Sequence, residues 1–171
     1  MVNLILIGIV SVTVVIITLL IVMWLIAKSK GKIDIILDNY NYSPGDTING
    51  KINLIIKKPV KAKELNIRLI GKRTDIRYNT QQRRNDINEN TIFDFKQIIA
   101  GEKEYQPSEQ TFDFKIKIPQ DINKKIEGLF GNIVKTAQIL SGSTTQIKWY
   151  LIANLEIPGI NISKKVQVNI V

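Results

Sequence analysis

The sequence contains no cysteine and no histidine. Disulfide frameworks, thiolate zinc sites and catalysis by a thiol or an imidazole are therefore excluded. The G-x-x-x-x-G-K-[ST] loop that binds phosphates and the G-x-S-x-G turn of serine hydrolases are also missing. From these absences we expect a protein that is not an enzyme, with no catalytic residue, no metal site and no cofactor.

Charge is missing from the start of the chain, since residues 4–27 are almost entirely apolar and contain no Asp, Glu, Lys or Arg. About 20 such residues are enough to cross a bilayer, so the run predicts a transmembrane helix over 4–27. A buried core element is the alternative, but core elements rarely run this long without a polar residue. A cleaved signal peptide fits less well, because its apolar part is usually about 7–15 residues long and follows a basic residue.

The charged residues all follow position 27, so the formal net charge of +9 belongs to the rest of the chain. Lys28, Lys30 and Lys32 lie in a short basic linker, 28–32, and basic flanks stay on the cytoplasmic side of a membrane. We therefore expect a single-pass membrane protein with residues 33–171 in the cytoplasm. Anionic headgroups attract such a basic domain. No nucleic-acid recognition pattern is present, so nucleic acid is not expected as a partner.

Alternation of apolar and polar residues with a period of two dominates the remainder. Ile33, Ile35 and Leu37 would share one face of a strand, and Ile48, Ile52, Leu54 and Ile56 would share one face of the next. In all, we predict seven strands, at 33–38, 48–56, 65–71, 91–99, 111–118, 147–157 and 165–170. Short strands separated by turn signals predict an all-β sandwich over 33–171.

Four residues are predicted to have structural roles. Pro44 presets φ for a tight turn, and Gly45 takes up the positive φ that follows. Gly50 falls at an inward position of the next strand, where a missing side chain indicates a bulge or the close approach of another backbone. Gly71, expected at the end of the third strand, is interpreted in the same way.

One segment has a helical period instead. In 121–140, apolar residues recur at spacings of three and four, which predicts an amphipathic helical insertion. Gly128 and Gly131 each cost about 1 kcal/mol relative to Ala in a helix interior. The stripe could pack on its own sandwich, on the membrane surface or on a protein partner, and the sequence leaves these three alternatives open.

A lysine-rich connection follows the second predicted strand. Lys57, Lys58, Lys61 and Lys63 surround Pro59, and a proline excludes this segment from a central strand. Three further cations follow on the next strand, Arg68, Lys72 and Arg73. We predict that these seven residues form a binding patch for acidic lipid or an acidic partner segment. The alternative is a solubilising charged loop that discourages edge pairing.

Four segments, in order, resemble the arrestin N-domain family: Y-S-P-G-D-T-I-N-G-K-I-N-L (42–54), K-A-K-E-L-N-I-R-L-I-G (61–71), T-F-D-F-K-I-K-I-P (111–119) and I-K-W-Y-L-I-A-N-L-E-I (147–157). The family includes arrestins, the arrestin-like retromer subunit and the sporulation-control protein. The resemblance implies an arrestin-like, immunoglobulin-like β-sandwich of about seven strands with one helical insertion. It also implies an adaptor rather than an enzyme.

We therefore expect a membrane-anchored adaptor or scaffold that binds a protein or acidic partner at the cytoplasmic membrane face. The alternative, from another class, is an extracytoplasmic sandwich of a pilin-like or surface-filament protein that assembles through its N-terminal hydrophobic helix. The lack of a basic processing site before the apolar run argues against this alternative.

Overall fold

The structure is a computed structural model that describes residues 14–18, 30–79, 83–122, 144–159 and 161–171. In these parts the chain forms ten strands: β1 (Gly31–Leu37), β2 (Asn41–Tyr42), β3 (Thr47–Ile56), β4 (Val60–Ala62), β5 (Glu64–Asn79), β6 (Arg84–Ala100), β7 (Lys103–Tyr105), β8 (Ser108–Lys117), β9 (Thr144–Glu156) and β10 (Ile162–Ile170). The all-β prediction is confirmed. Each of the seven predicted strands is present, and β2, β4 and β7 add three very short ones.

Two main sheets form the fold. One has the strand order β1-β3-β8 and the other β2-β10-β9-β5-β6, while β4 and β7 form a small separate pair. All pairs are antiparallel except β2 with β10. Buried residues from both main sheets form one hydrophobic cluster, so the sheets pack face to face around a single core.

The alternation in β3 explains how the core is built. Ile48, Ile52 and Leu54 are fully buried, and their neighbours along the strand are exposed or half-buried. Facing the same core, β5 contributes Leu65 and Ile67, which are also fully buried. Successive side chains of a strand point to opposite faces of the sheet, so the predicted inward faces of β1 and β3 are confirmed.

The Pro44-Gly45 corner joins β2 to β3. The amide of Asp46 donates to the carbonyl of Ser43 at 3.0 Å, which closes a turn, and Gly45 has φ of 92°. Gly50 then lies at a buried position of β3. A Cβ there would lie 2.7 Å from Cζ of Phe114 and 2.8 Å from the carbonyl oxygen of Ile36. Gly45 thus has the positive φ of a turn residue, and Gly50 lies where a side chain would meet a neighbouring ring and a backbone carbonyl.

The pair β5 and β6 is longer than predicted. The expected strands 65–71 and 91–99 are the inner parts of strands that run from Glu64 to Asn79 and from Arg84 to Ala100. Gly71 therefore lies inside β5 and not at its end, and the β5–β6 register shifts between Gly71 and Lys72. The outer part of the pair extends beyond Ile76, where the pairing with β9 stops.

The N-terminal boundaries differ slightly from the prediction. β1 begins at Gly31, so the last part of the expected 28–32 linker belongs to the sheet. Residues 14–18 of the apolar run are helical, and the rest of 4–27 lies outside the described residues. Among the described residues, no helix is both long and apolar enough to cross a membrane. Most of the predicted helical insertion, from 123 to 140, also lies outside the described residues.

Candidate functional site

The lysine-rich connection after β3 lies beside the point where the chain enters the sandwich. The amide of Lys57 donates to the carbonyl of Lys30 at 2.9 Å, and the amide of Lys58 approaches the same oxygen at 3.4 Å. Both lysines are exposed. Backbone hydrogen bonds therefore place two of the predicted patch residues next to Lys30, the residue that precedes β1.

The connection between β9 and β10 lies at the same end of the sandwich. Lys30 Nζ donates to the carbonyl of Pro158 at 3.4 Å, and the amide of Lys63 donates to the carbonyl of Glu156 at 2.7 Å. Lys63 is exposed as well. We call the cluster of Lys30, Lys57, Lys58 and Lys63 the basic end. No ion pair with another described residue involves any of these four side chains.

Lys61 differs from its neighbours because its charge has a local partner. It lies on β4, and its ammonium is 2.8 Å from a carboxylate oxygen of Glu102, just before β7. The hydrogen bond to Lys61 lowers the pKa of Glu102, and the same contact raises the pKa of Lys61. Both side chains are well exposed, so the pair contributes little to stability. The negative charge of Glu102 nevertheless offsets the positive charge of Lys61 at this point of the surface.

The three predicted patch residues on β5 have carboxylate partners. Arg68 pairs with Asp94 on β6, and hydrogen bonding to Asp94 raises the pKa of Arg68. Lys72 Nζ lies 2.6 Å from Glu89, also on β6. The partner of Arg73 is Asp75, on the same strand, at 2.8 Å. The structure therefore divides the seven predicted cations into two groups. Lys57, Lys58 and Lys63 at the basic end have no ion pair with another described residue, and the other four are paired.

A polar network outside the predicted patch lies on the outer face of the five-stranded sheet. Glu64 and Glu156 are directly opposite each other on β5 and β9. The amide nitrogen of Asn66, which is fully buried, is 2.5 Å from Glu64 and 3.2 Å from Glu156. Lys96 of β6 forms ion pairs with both carboxylates, so the like charges are bridged.

The sequence held only part of this information. Alternation along β5 places Glu64, Asn66 and Arg68 on one face, but the partners Lys96 and Asp94 lie more than 25 residues further along the chain. No local motif links them. Within the described ranges, no group of three or more Asp and Glu residues has the arrangement of a metal site.

Comparisons with known proteins agree with the sandwich. The family model of the arrestin (or S-antigen) N-terminal domain matches residues 33–141, more than half of the chain. A structure of Spo0M, the sporulation control protein of Bacillus subtilis, is similar to the chain with a TM-score of 0.55 and 18% sequence identity. The similarity covers 82% of this chain and 49% of the Spo0M chain. No curated protein matches the sequence significantly.

Proposed function

We propose that this chain, which belongs to the arrestin N-terminal domain family, is a membrane-anchored adaptor whose basic end lies against anionic lipid headgroups while the sandwich binds a protein partner. The family and the sandwich support the adaptor role. The anchor is inferred from the uncharged run 4–27. The described part of that run is helical and exposes Val14, Val15, Ile16 and Ile17, as expected for a surface that contacts lipid.

The single observation that carries the proposal is the position of the basic end. Only residues 28 and 29 separate the apolar run from Lys30. Because consecutive Cα atoms are 3.8 Å apart, Lys30 lies within about 11 Å of residue 27. The headgroup region on each side of a bilayer is about 5–8 Å thick. If residue 27 is at the edge of the hydrocarbon, Lys30 and the two lysines bonded to it lie in the headgroup layer or within about 6 Å of it.

The charge at this position suits an anionic surface. Each well-placed Lys or Arg contributes about 1 kcal/mol to binding such a membrane, and the effect decays over about 8 Å at physiological salt. Lys57 and Lys58 have no ion-pair partner among the described residues, so their charges are available to lipid. Arg68, in contrast, is already paired with Asp94. We therefore assign lipid contact to the basic end and not to the cations of β5.

The lipid contact can be tested with the full chain in liposomes. Since the chain lacks cysteine, Gly101→Cys supplies a unique labelling site beside the basic end, where a new Cβ meets no atom within 4 Å. A dye there should be quenched by headgroup quenchers more strongly in anionic than in zwitterionic liposomes. Raising the ionic strength should remove the difference.

Two matched triple variants decide which lysines matter. Lys57→Gln, Lys58→Gln and Lys63→Gln together should abolish the lipid-dependent quenching. The control carries Lys72→Gln, Lys148→Gln and Lys165→Gln on the outer face of the five-stranded sheet, with the same loss of charge, and should keep it. Equal quenching in both lipid compositions, or equal loss in both variants, would contradict the assignment.

Membrane orientation requires a separate measurement. Protease added to intact cells should leave the sandwich uncut, and permeabilised cells should lose it, if the basic flank keeps the domain in the cytoplasm. Digestion in intact cells would instead favour the extracytoplasmic filament protein considered above.

A further inference from the structure

The outer edge of the five-stranded sheet is formed by β6, a strand of 17 residues. No other strand among the described residues pairs with this edge. An edge strand presents a row of unpaired N–H and C=O groups, which makes it a template for another strand. The stretch Phe93–Ile98 pairs regularly with β5 and is bounded by register shifts on both sides, so the regular part of the edge is short and well defined.

Apolar side chains are exposed on this same stretch. Phe95 is opposite Leu69 of β5 and therefore lies on the core side of the sheet, yet 43% of its surface is exposed, and no strand in the described part of the chain lies beside it on the outer edge. Ile98, on the other side, is 59% exposed. A strand added to β6 would place side chains beside Phe95 and remove it from water.

The charged residues of β6 favour one register of pairing with a second copy of the same strand. If a second β6 pairs antiparallel with a two-fold axis at Phe95, Asp94 of one copy is opposite Lys96 of the other. A shift that centres the pair on Asp94 puts two Asp94 carboxylates opposite each other, and a shift that centres it on Lys96 does the same with two ammonium groups. Opposite charges across a strand pair are stabilising and like charges are destabilising. Of these three registers within the regular stretch, only the one centred on Phe95 places opposite charges across the pair.

We propose that two copies of this chain pair through the outer edges of their β6 strands, antiparallel and centred on Phe95. The partner is thus a second copy, and the five-stranded sheet becomes a continuous ten-stranded sheet. In such a pair Phe95 contacts Phe95 of the second copy. Asp94, already bonded to Arg68, gains Lys96 of the second copy as a further partner.

The symmetry of the pair is compatible with anchoring in one membrane. A two-fold axis through an antiparallel strand pair is perpendicular to the sheet, so the two three-stranded sheets lie on the same side of the dimer. Lys30 precedes β1 of the three-stranded sheet, and both chain entry points are therefore on that side. The pairing itself rests on β6 alone and does not depend on the proposed lipid contact.

Cysteine cross-linking tests the pairing directly, because the natural chain has no cysteine. Directly opposite residues of an antiparallel pair have Cα atoms about 4.5–5.5 Å apart, within the range of about 4.4–6.8 Å that a disulfide requires. The full chain carrying Phe95→Cys, purified in mild detergent, should form a covalent dimer at least tenfold faster than one carrying Ile36→Cys. Ile36 is a matched control, an exposed apolar residue on the edge strand β1.

The register is tested by mixing two variants. Asp94→Cys mixed with Lys96→Cys should form heterodimers in preference to either homodimer. Similar cross-linking rates for the four cysteine variants, at positions 36, 94, 95 and 96, would overturn the proposal. They would indicate that chains associate through their apolar runs and that the cysteines then meet by random collision. A purified chain that stays monomeric at micromolar concentration, with no Phe95→Cys dimer, would overturn it as well and would leave the edge to a strand of another protein.

A charge variant distinguishes the contact of Lys96 with a second copy from its contact with Glu64 in the same chain. Lys96→Glu, introduced into the Phe95→Cys chain, puts Glu opposite Asp94 of the second copy and should slow cross-linking at least tenfold. It also breaks the internal contact with Glu64. Glu64→Gln in the same background removes that contact but keeps the ammonium of Lys96, so it should leave cross-linking unchanged. Equal loss in the two variants would overturn the proposed charge pairing.

Discussion

Gly71 and Trp149 are cross-strand neighbours on β5 and β9, and the indole ring occupies the space that a side chain on residue 71 would need. A Cβ on Gly71 would lie 2.6 Å from Cζ3 of Trp149. The ring extends toward Phe93, the partner of Gly71 on β6, with the two ring centroids 5.7 Å apart in an edge-to-face arrangement. The glycine therefore allows two aromatic rings from non-adjacent strands to meet across β5.

Gly71→Ala should destabilise the sandwich, because Trp149 is almost completely buried and cannot move away without disturbing the core. Overpacking of this kind costs about 1–3 kcal/mol. The measurement is the free energy of unfolding of the full chain in detergent. Gly101→Ala is the control, since a Cβ there meets no atom within 4 Å and the change should stay within about 0.5 kcal/mol. Equal effects of the two substitutions would contradict this account.

Two tyrosines should respond in opposite ways to loss of the hydroxyl. The hydroxyl of Tyr42 donates to the carbonyl of Asn39, whereas the buried hydroxyl of Tyr105 has no hydrogen-bond partner among the described residues. Tyr42→Phe should lower the free energy of unfolding by about 1 kcal/mol, the typical value of a hydrogen bond. Tyr105→Phe should be neutral or stabilising, because burying an unpaired polar group costs about 1–3 kcal/mol. Thermal unfolding of both variants checks this contrast, and a clear loss of stability in Tyr105→Phe would show that its hydroxyl is bonded.

The alternation of apolar and polar residues predicted a strand wherever one face of that strand is buried. In β3 the apolar residues Ile48, Ile52 and Leu54 face the core and mark the strand clearly. The outer part of the β5–β6 pair, beyond Ile76, gave no such signal, because its sequence is largely polar and no third strand among the described residues pairs with it. The shortest strands, such as β2 with two residues, are too short to show any period.

The candidate site was predictable only in part for a similar reason. The lysines around Pro59 indicated an exposed basic connection, and the structure agrees. Their position beside Lys30 depends on backbone hydrogen bonds between residues 27 and 28 positions apart, which no local pattern contains. The pairing of Arg68 with Asp94 depends in the same way on the register of two strands. Which of the predicted cations have a carboxylate partner among the described residues thus depends on pairing between distant segments, which the local sequence does not show.

The Glu64 carboxylate should make stability depend on pH. Its hydrogen bond and ion pair with Lys96 hold the pKa of Glu64 below the ordinary value of 4.5. Because the pKa is lower in the folded state than in the unfolded state, this contribution is fully present above about pH 4.5 and is lost as the pH falls through the folded pKa. The difference in unfolding free energy between the natural chain and Glu64→Gln should therefore be largest near neutral pH and shrink toward pH 3.

Glu102→Gln is the matched control for this titration. Glu102 also pairs with a lysine, but both side chains of that pair are well exposed, and water screens such a pair to a small value at every pH. Chemical denaturation of the three proteins at several pH values should show a pH-dependent difference for Glu64→Gln and almost none for Glu102→Gln. If the loss in Glu64→Gln stays constant down to pH 3, the charge of Glu64 does not contribute through Lys96, because the amide oxygen of the glutamine can still accept the hydrogen bond from Asn66.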